Sequence, residues 1–233
     1  MKEDYDTSTI VFLKKVDDDQ AKEIVSQKKT NVFRKLLRKP KPDEVHVHSL
    51  QLFYESILIV SGKYSADFFR KAVHPITVDY NVSEVVLGGG IFPIRSKSMI
   101  MKKISKKGKN KVDLKLEEHV FIEKEDQAAF DHHGREIKLP YKINSKTIEN
   151  YPTKILKMYE KNVKKPEITY ESVINKLAQK LKTHSESDVR ELNDEFLVKE
   201  VIEAYVPIYE ARLIGPKKKV GILRIDSVRN KIL

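Results

Sequence analysis

Hydrophobic positions change period several times along this chain, and each change predicts an element. Thr9 to Phe12 is a short apolar run and predicts a strand. Behind Asp17, Asp18 and Asp19, the positions Ala21, Ile24, Val25, Val32 and Leu36 fall on one helical stripe. Acids at its start and Lys35, Arg38 and Lys39 at its end suit the helix dipole, and Pro40 stops it. The stretch LQLFYESILIVSG (50–62) is apolar on both faces and predicts a central strand that turns at Gly62. In KYSADFFRKAVHPITVD (63–79) the period becomes two. Tyr64, Ala66, Phe68, Ala72, Ile76 and Val78 share one face, with Lys63, Ser65, Asp67, Lys71 and Asp79 on the other, so a half-buried strand is expected, with Pro75 at an edge or a bulge. Val82 to Leu87 predicts a further strand, closed by Gly88, Gly89 and Gly90.

Val112 to Ile122, Ala128 to Phe130 and Glu136 to Leu139 predict a small antiparallel meander, followed by a helix over Pro152 to Lys161 and a linker, NVKKPEI (162–168). Thr169 then caps a second amphipathic helix with apolar Val173, Ile174, Leu177 and Leu181. Strands follow over 195–215 and 217–226, then a short tail. The expected fold class is α+β: two related helix-plus-antiparallel-sheet units, 1–94 and 166–233, with a basic loop, β meander and helix inserted over 95–165.

The relation between the halves rests on matched positions. Ile24, Val25 and Val32 correspond to Val173, Ile174 and Leu181; Tyr54 and Ile57 to Tyr205 and Ile208; Gly62 to Gly215; Asp79 to Asp226. The offsets of 149, 151, 153 and 147 are too long for a solenoid repeat and predict duplication of a domain-sized unit. The stretch YEARLIGPKKKVGILRIDSVRNKIL resembles the closing hairpins of PepSY-type modules, cystatin-like folds in which a helix lies across a few antiparallel strands. In that family a strand ends at an Asp and a Thr-Gly-type turn leads to a final short strand; here Asp226 is present and Ser227 to Asn230 replace the turn. The resemblance implies a small domain used for inhibition or binding rather than catalysis, and carries over no functional residue.

Composition narrows the chemistry. Forty-five basic against 34 acidic residues leave a net charge of +11, which attracts polyanions, acidic proteins or anionic headgroups. A Lys- and Glu-rich surface without Cys is also what proteins of high-temperature organisms use. Only 9 of the basic residues are Arg, the bidentate reader of guanine and phosphate, so attraction to a nucleic-acid backbone is expected more than base reading. Zero Cys excludes disulfides, thiolate catalysis and Cys-ligated metal. The acidic start of the chain and the shortness of its apolar run, Ile10 to Leu13, predict no signal peptide, and no window reaches the roughly 18 apolar residues of a membrane helix. A cytoplasmic protein is the expectation.

Between Arg95 and Lys111, eight of seventeen residues are basic and none is acidic. Lys102, Lys103, Lys106, Lys107, Lys109 and Lys111, in a Gly108-containing loop, are the candidate anion-binding residues, each able to displace condensed counterions from a phosphate; a solvated loop is the bland alternative. The nearest aromatics, Phe92 and Phe121, flank the segment rather than interleave with it, against a base-stacking module.

Other motifs read as structure. FDHHGREI (130–137) contains the Asp-His-His triplet of DHH phosphoesterases, but the upstream His among Asp17, Asp18 and Asp19 is missing, and Gly88 to Gly90 precede the triplet without a His. Asp131, His132 and His133 are therefore expected to form a hairpin corner at Gly134. His46 and His48 share one strand face, but with His74 as the one nameable partner they read as a solvent-facing edge. There is no GxxxxGK[ST] or GxSxG pattern, and Ile91, Phe92 and Pro93 deny Gly88 to Gly90 a helix N-terminus for phosphate. The expectation is a non-enzymatic binding or adaptor protein without cofactor, metal or catalytic residues. Its partner is an acidic protein or, as runner-up, nucleic acid, and exposed sheet edges are available to a second copy. A metal-dependent phosphoesterase ranks third.

Overall fold

The computed structural model describes residues 5–34, 39–94, 110–182 and 189–233. Among these residues, three α-helices and a mostly antiparallel sheet make the protein α+β. The helices are α1 (Asp18–Lys28), α2 (Pro152–Met158) and α3 (Tyr170–Leu181). The strands are β1 (Asp6–Val11), β2 (His46–Val78), β3 (Glu84–Leu87), β4 (Gly90–Pro93), β5 (Asn110–Asp131), β6 (Glu136–Ile137), β7 (Val163–Lys164), β8 (Val189–Ile214), β9 (Val220–Asp226) and β10 (Lys231–Ile232). The main sheet runs β10-β9-β8-β2-β5-β6, with β1 pairing parallel to β8 and β7 parallel to β2.

The chain packs as two compact units, each discontinuous in sequence: Met1–Lys63 with Glu125–Leu181 and Leu197–Leu233, and Tyr64–Lys124 with Lys182–Phe196. In the first unit both sheet faces are covered. One face presents Tyr54, Tyr205, Tyr209, Leu213 and Ile225 to Ala21 and Val25 of α1 and to Ile155 and Leu156 of α2. Successive strand residues point to opposite faces, so Ile57, Ile59, Val206 and Ile208 form the other core, covered by Ile137, Leu139, Tyr141 and Ile148. The helices start where their sequences favour it. Asp17 caps α1 by accepting from Gln20 N at 2.8 Å while Gln20 Oε1 accepts from Asp17 N, and Thr169 Oγ1 accepts from Ser172 N ahead of α3.

In the second unit, β2 alternates buried and half-buried positions from Tyr64 to Phe68 and β5 alternates half-buried and exposed ones, and charged pairs cross between strands: Arg70 Nε with Glu118 at 2.8 Å, and Arg190 with Glu117 at 3.0 Å. The short β3–β4 hairpin turns through Gly88 and Gly89, whose φ values of +57° and +81° are those of a two-residue turn.

Several sequence expectations are corrected. The chain does not turn at Gly62: β2 continues through it with ordinary φ, because β2 has hydrogen-bonded neighbours on both sides and an isolated Ser-Gly does not outweigh that pairing. Its proposed counterpart Gly215 does end a strand, so this matched pair occupies two different positions. The small meander is instead the continuous strand β5 with a two-residue β6. The linker 162–168 contributes β7, pairing Val163 with Tyr54 and Lys164 with Glu55. α1 ends at Lys28 and tightens into a 3-10 turn over Lys29–Phe33, where β-branched Thr30 and Val32 favour leaving the α-helix. Leu36 lies outside the described residues.

Candidate functional site

Of the six candidate anion-binding lysines, Lys102, Lys103, Lys106, Lys107 and Lys109 lie outside the described residues. Lys111 is described and is exposed near the start of β5, next to Asn110, whose side-chain amide donates to Tyr80 O at 3.0 Å. The charge balance sharpens their setting. Segment 95–111 holds eight positive and no negative residues, which leaves 37 basic against 34 acidic residues elsewhere, a net of only +3. In the described units many cations already meet a carboxylate, among them Lys180 with Glu136, Lys199 with Glu125 and Arg135 with Asp131.

The Asp-His-His triplet forms the β5–β6 corner. Asp131 Oδ1 accepts from His133 N at 3.0 Å and Arg135 N at 2.9 Å, Oδ2 meets the Arg135 guanidinium, and Gly134 takes φ +79°. Burial works against the Asp131 carboxylate, but these donors outweigh it and hold its pKa below the ordinary value. Asp131 is therefore committed to the turn. The two imidazoles are not: within a turn adjacent side chains escape the alternation of a strand, and the rings of His132 and His133 lie with centroids 3.8 Å apart. Glu167, thirty-four positions on from His133, joins them. Its N–H donates to His132 O at 2.8 Å and its Oε2 lies 2.8 Å from His133 Nδ1. Nothing in the sequence marked Glu167, because its approach depends on β7 and the start of α3 packing beside the corner.

A charged belt lies on the sheet near this corner. Glu55 of β2, almost fully buried, meets Lys164 of β7 at 2.8 Å and the Arg224 guanidinium of β9, and Glu210 of β8 lies 3.9 Å from both cations. Burial alone raises the Glu55 pKa, yet Lys164 and Arg224 outweigh it and the net shift is downward. His132 is shifted downward by its own burial, against the opposing pull of Glu55. Asp226, fully buried, accepts from Val228 N, Arg229 N, Arg229 Nε and the Tyr141 hydroxyl at 2.5–3.1 Å. The Asp singled out by the PepSY resemblance thus closes the β9–β10 turn with its hydrogen bonds filled.

The remaining candidates divide by place. His46 and His48 are exposed at the start of β2 in the first unit, whereas His74 belongs to the second unit, where it contacts Glu118. An open cleft of about 860 Å³ in the first unit is lined by Lys157, Lys165, Tyr170, Glu203 and Tyr205. There Glu203 already accepts from the Tyr170 hydroxyl at 2.5 Å and from the Tyr205 hydroxyl, so its charge is satisfied. Burial, then the bond to Glu203, pushes the Tyr170 pKa up to about 12, which keeps it a donor. Among the described residues no helix is long and apolar enough to cross a membrane. No protein-family model, no curated protein and no solved structure matches the chain.

Proposed function

We propose that the chain is a non-enzymatic binding protein that engages an anionic partner, an acidic protein segment, through its basic stretch at residues 95–111. The observation that carries this reading is the segregation of charge: seventeen residues hold +8 of a net +11, while the rest of the chain is close to neutral. Such a stretch has no acid of its own to neutralise it, and a concentrated field speeds and selects the approach of a polyanion. Among the described residues six-residue β1 pairs with β8 alone, and β10 covers β9 only at its last two residues, so strand addition at a sheet edge is a second contribution beside the charged stretch.

The test is a salt series. Anisotropy is followed for a poly-glutamate peptide, single-stranded RNA and duplex DNA, from low to physiological ionic strength. The protein is used intact and with Lys102, Lys103, Lys106, Lys107, Lys109 and Lys111 replaced by Gln. Peptide binding that disappears in the variant supports the proposal. Preferential nucleic-acid binding, with a salt slope that becomes shallower by about 0.7 to 0.9 for each phosphate the variant no longer neutralises, shifts the function to the runner-up. Silence of all three probes at low salt removes both.

A further inference from the structure

The geometry points to a divalent transition-metal site, of the kind that takes Zn²⁺ or Co²⁺, formed by His132, His133 and Glu167 at the β5–β6 corner. It is independent of the basic stretch, and it is not the triplet visible in the sequence, since Asp131 is spent on the turn and Glu167 takes its place.

Three features carry the assignment. The first is the donor set: two imidazole nitrogens and a carboxylate oxygen, all within 4.8 Å of one another, make the one such His-containing group of three among the described residues. Imidazole and carboxylate suit zinc and its first-row neighbours, and three protein ligands leave a tetrahedral ion one position for water. Donors about 2 Å from an ion stand less than about 4 Å from each other, so small rotations of the exposed His133 and Glu167 side chains close the group.

The second is the backbone frame. Adjacent histidines in a regular strand project to opposite faces, but the Asp131 hydrogen bonds and the positive φ of Gly134 turn both rings to one side. On the other bank, the Glu167 N–H bond to His132 O fixes the segment that carries the carboxylate. Lys176 of α3 donates to Gly134 O at 2.7 Å and ties the helix to the same corner. A frame tied by main-chain bonds spends little ordering entropy when an ion arrives.

The third is the disposition of neighbouring charge. The cations around the corner are engaged elsewhere, Arg135 with Asp131 and Lys164 with Glu55, and do not occupy Glu167. The partner of Glu167 is His133 Nδ1, an atom that ligates metal as readily as it shares a proton.

Cobalt titration of the metal-free protein tests this. Wild type is expected to take up one Co²⁺ per chain, with the visible absorption of an ion bound to nitrogen and oxygen at low coordination number, and to gain thermal stability as metal is added. Glu167→Gln and His133→Ala are each expected to weaken uptake by about tenfold or more, whereas His46→Ala/His48→Ala leaves it unchanged. Glu167 is exposed, so its variant folds even if the His133 change disturbs the corner. Absence of uptake by wild type, uptake indifferent to Glu167→Gln, or uptake that vanishes with His46 and His48 would each overturn the assignment.

Discussion

Two stretches of the single strand β2 obey different rules. From Tyr54 to Val60 every residue is buried, Glu55 and Ser56 included, whereas from Tyr64 to Phe68 only alternate residues are. The strand is the same; the number of covered faces is not. In the first unit helices lie on one face and the 137–148 segment on the other, so both sets of side chains leave water. In the second unit the alternate positions carry Ser65, Asp67 and Phe69, and cross-strand pairs such as Phe69 stacked on His119 stand in for a second core. The same change of period marks β5, alternating up to Lys124 and continuously buried from Ala128 to Phe130.

Truncations at neighbouring positions should break or sharpen this contrast. Ile57→Ala and Leu58→Ala, on opposite faces, should each cost about 2–5 kcal/mol in urea denaturation, because Leu58 is fully buried and Ile57 nearly so. In the second unit the two faces should part company: Phe68→Ala should cost about 3–5 kcal/mol and Phe69→Ala about 1. Equal losses at 68 and 69 would mean that the second face is covered after all.

A smaller effect is expected at the belt that borders the first core. Glu55→Gln should cost about 1.5–3 kcal/mol by weakening the bonds to Lys164 and Arg224. Since the folded state holds this carboxyl below its ordinary 4.5, the unfolded chain takes up the proton first as pH falls. Its contribution is therefore complete above about pH 4.5 and disappears as pH drops through the folded value. A urea midpoint that follows the same acid profile in wild type and Glu55→Gln would contradict this. At the corner, Gly134→Ala should cost about 1–2 kcal/mol for the left-handed backbone, with further strain because a Cβ there would lie 2.5 Å from Ile168 Cδ1. Least affected should be Arg190→Gln, whose exposed pairs with Glu117 and Glu191 in the second unit should leave the midpoint where it is.

The hydrophobic period, with the residues that flank it, determined the α+β class, the two-faced burial around residues 52–60, the half-buried run after it, the helix behind the acids Asp17 to Asp19 and the helix capped by Thr169. These are local properties: side-chain periodicity and short-range hydrogen bonds do not need to know the partner. It was also enough to read Asp131, His132 and His133 as a corner, because Gly134 and the Asx-type bonds lie within five residues. What lies between two patterned runs was another matter. A change of period at Gly62 looks the same whether the chain turns or the cover over one face stops, and only the pairing of β2 with β5 and β8 decided that the strand continues. Likewise Lys164 and Glu167 looked like linker residues until β7 paired with β2 and set one beside Glu55 and the other beside His133. Contacts between residues distant in sequence carry no local signature, so the belt and the proposed metal ligands had to wait for the tertiary structure.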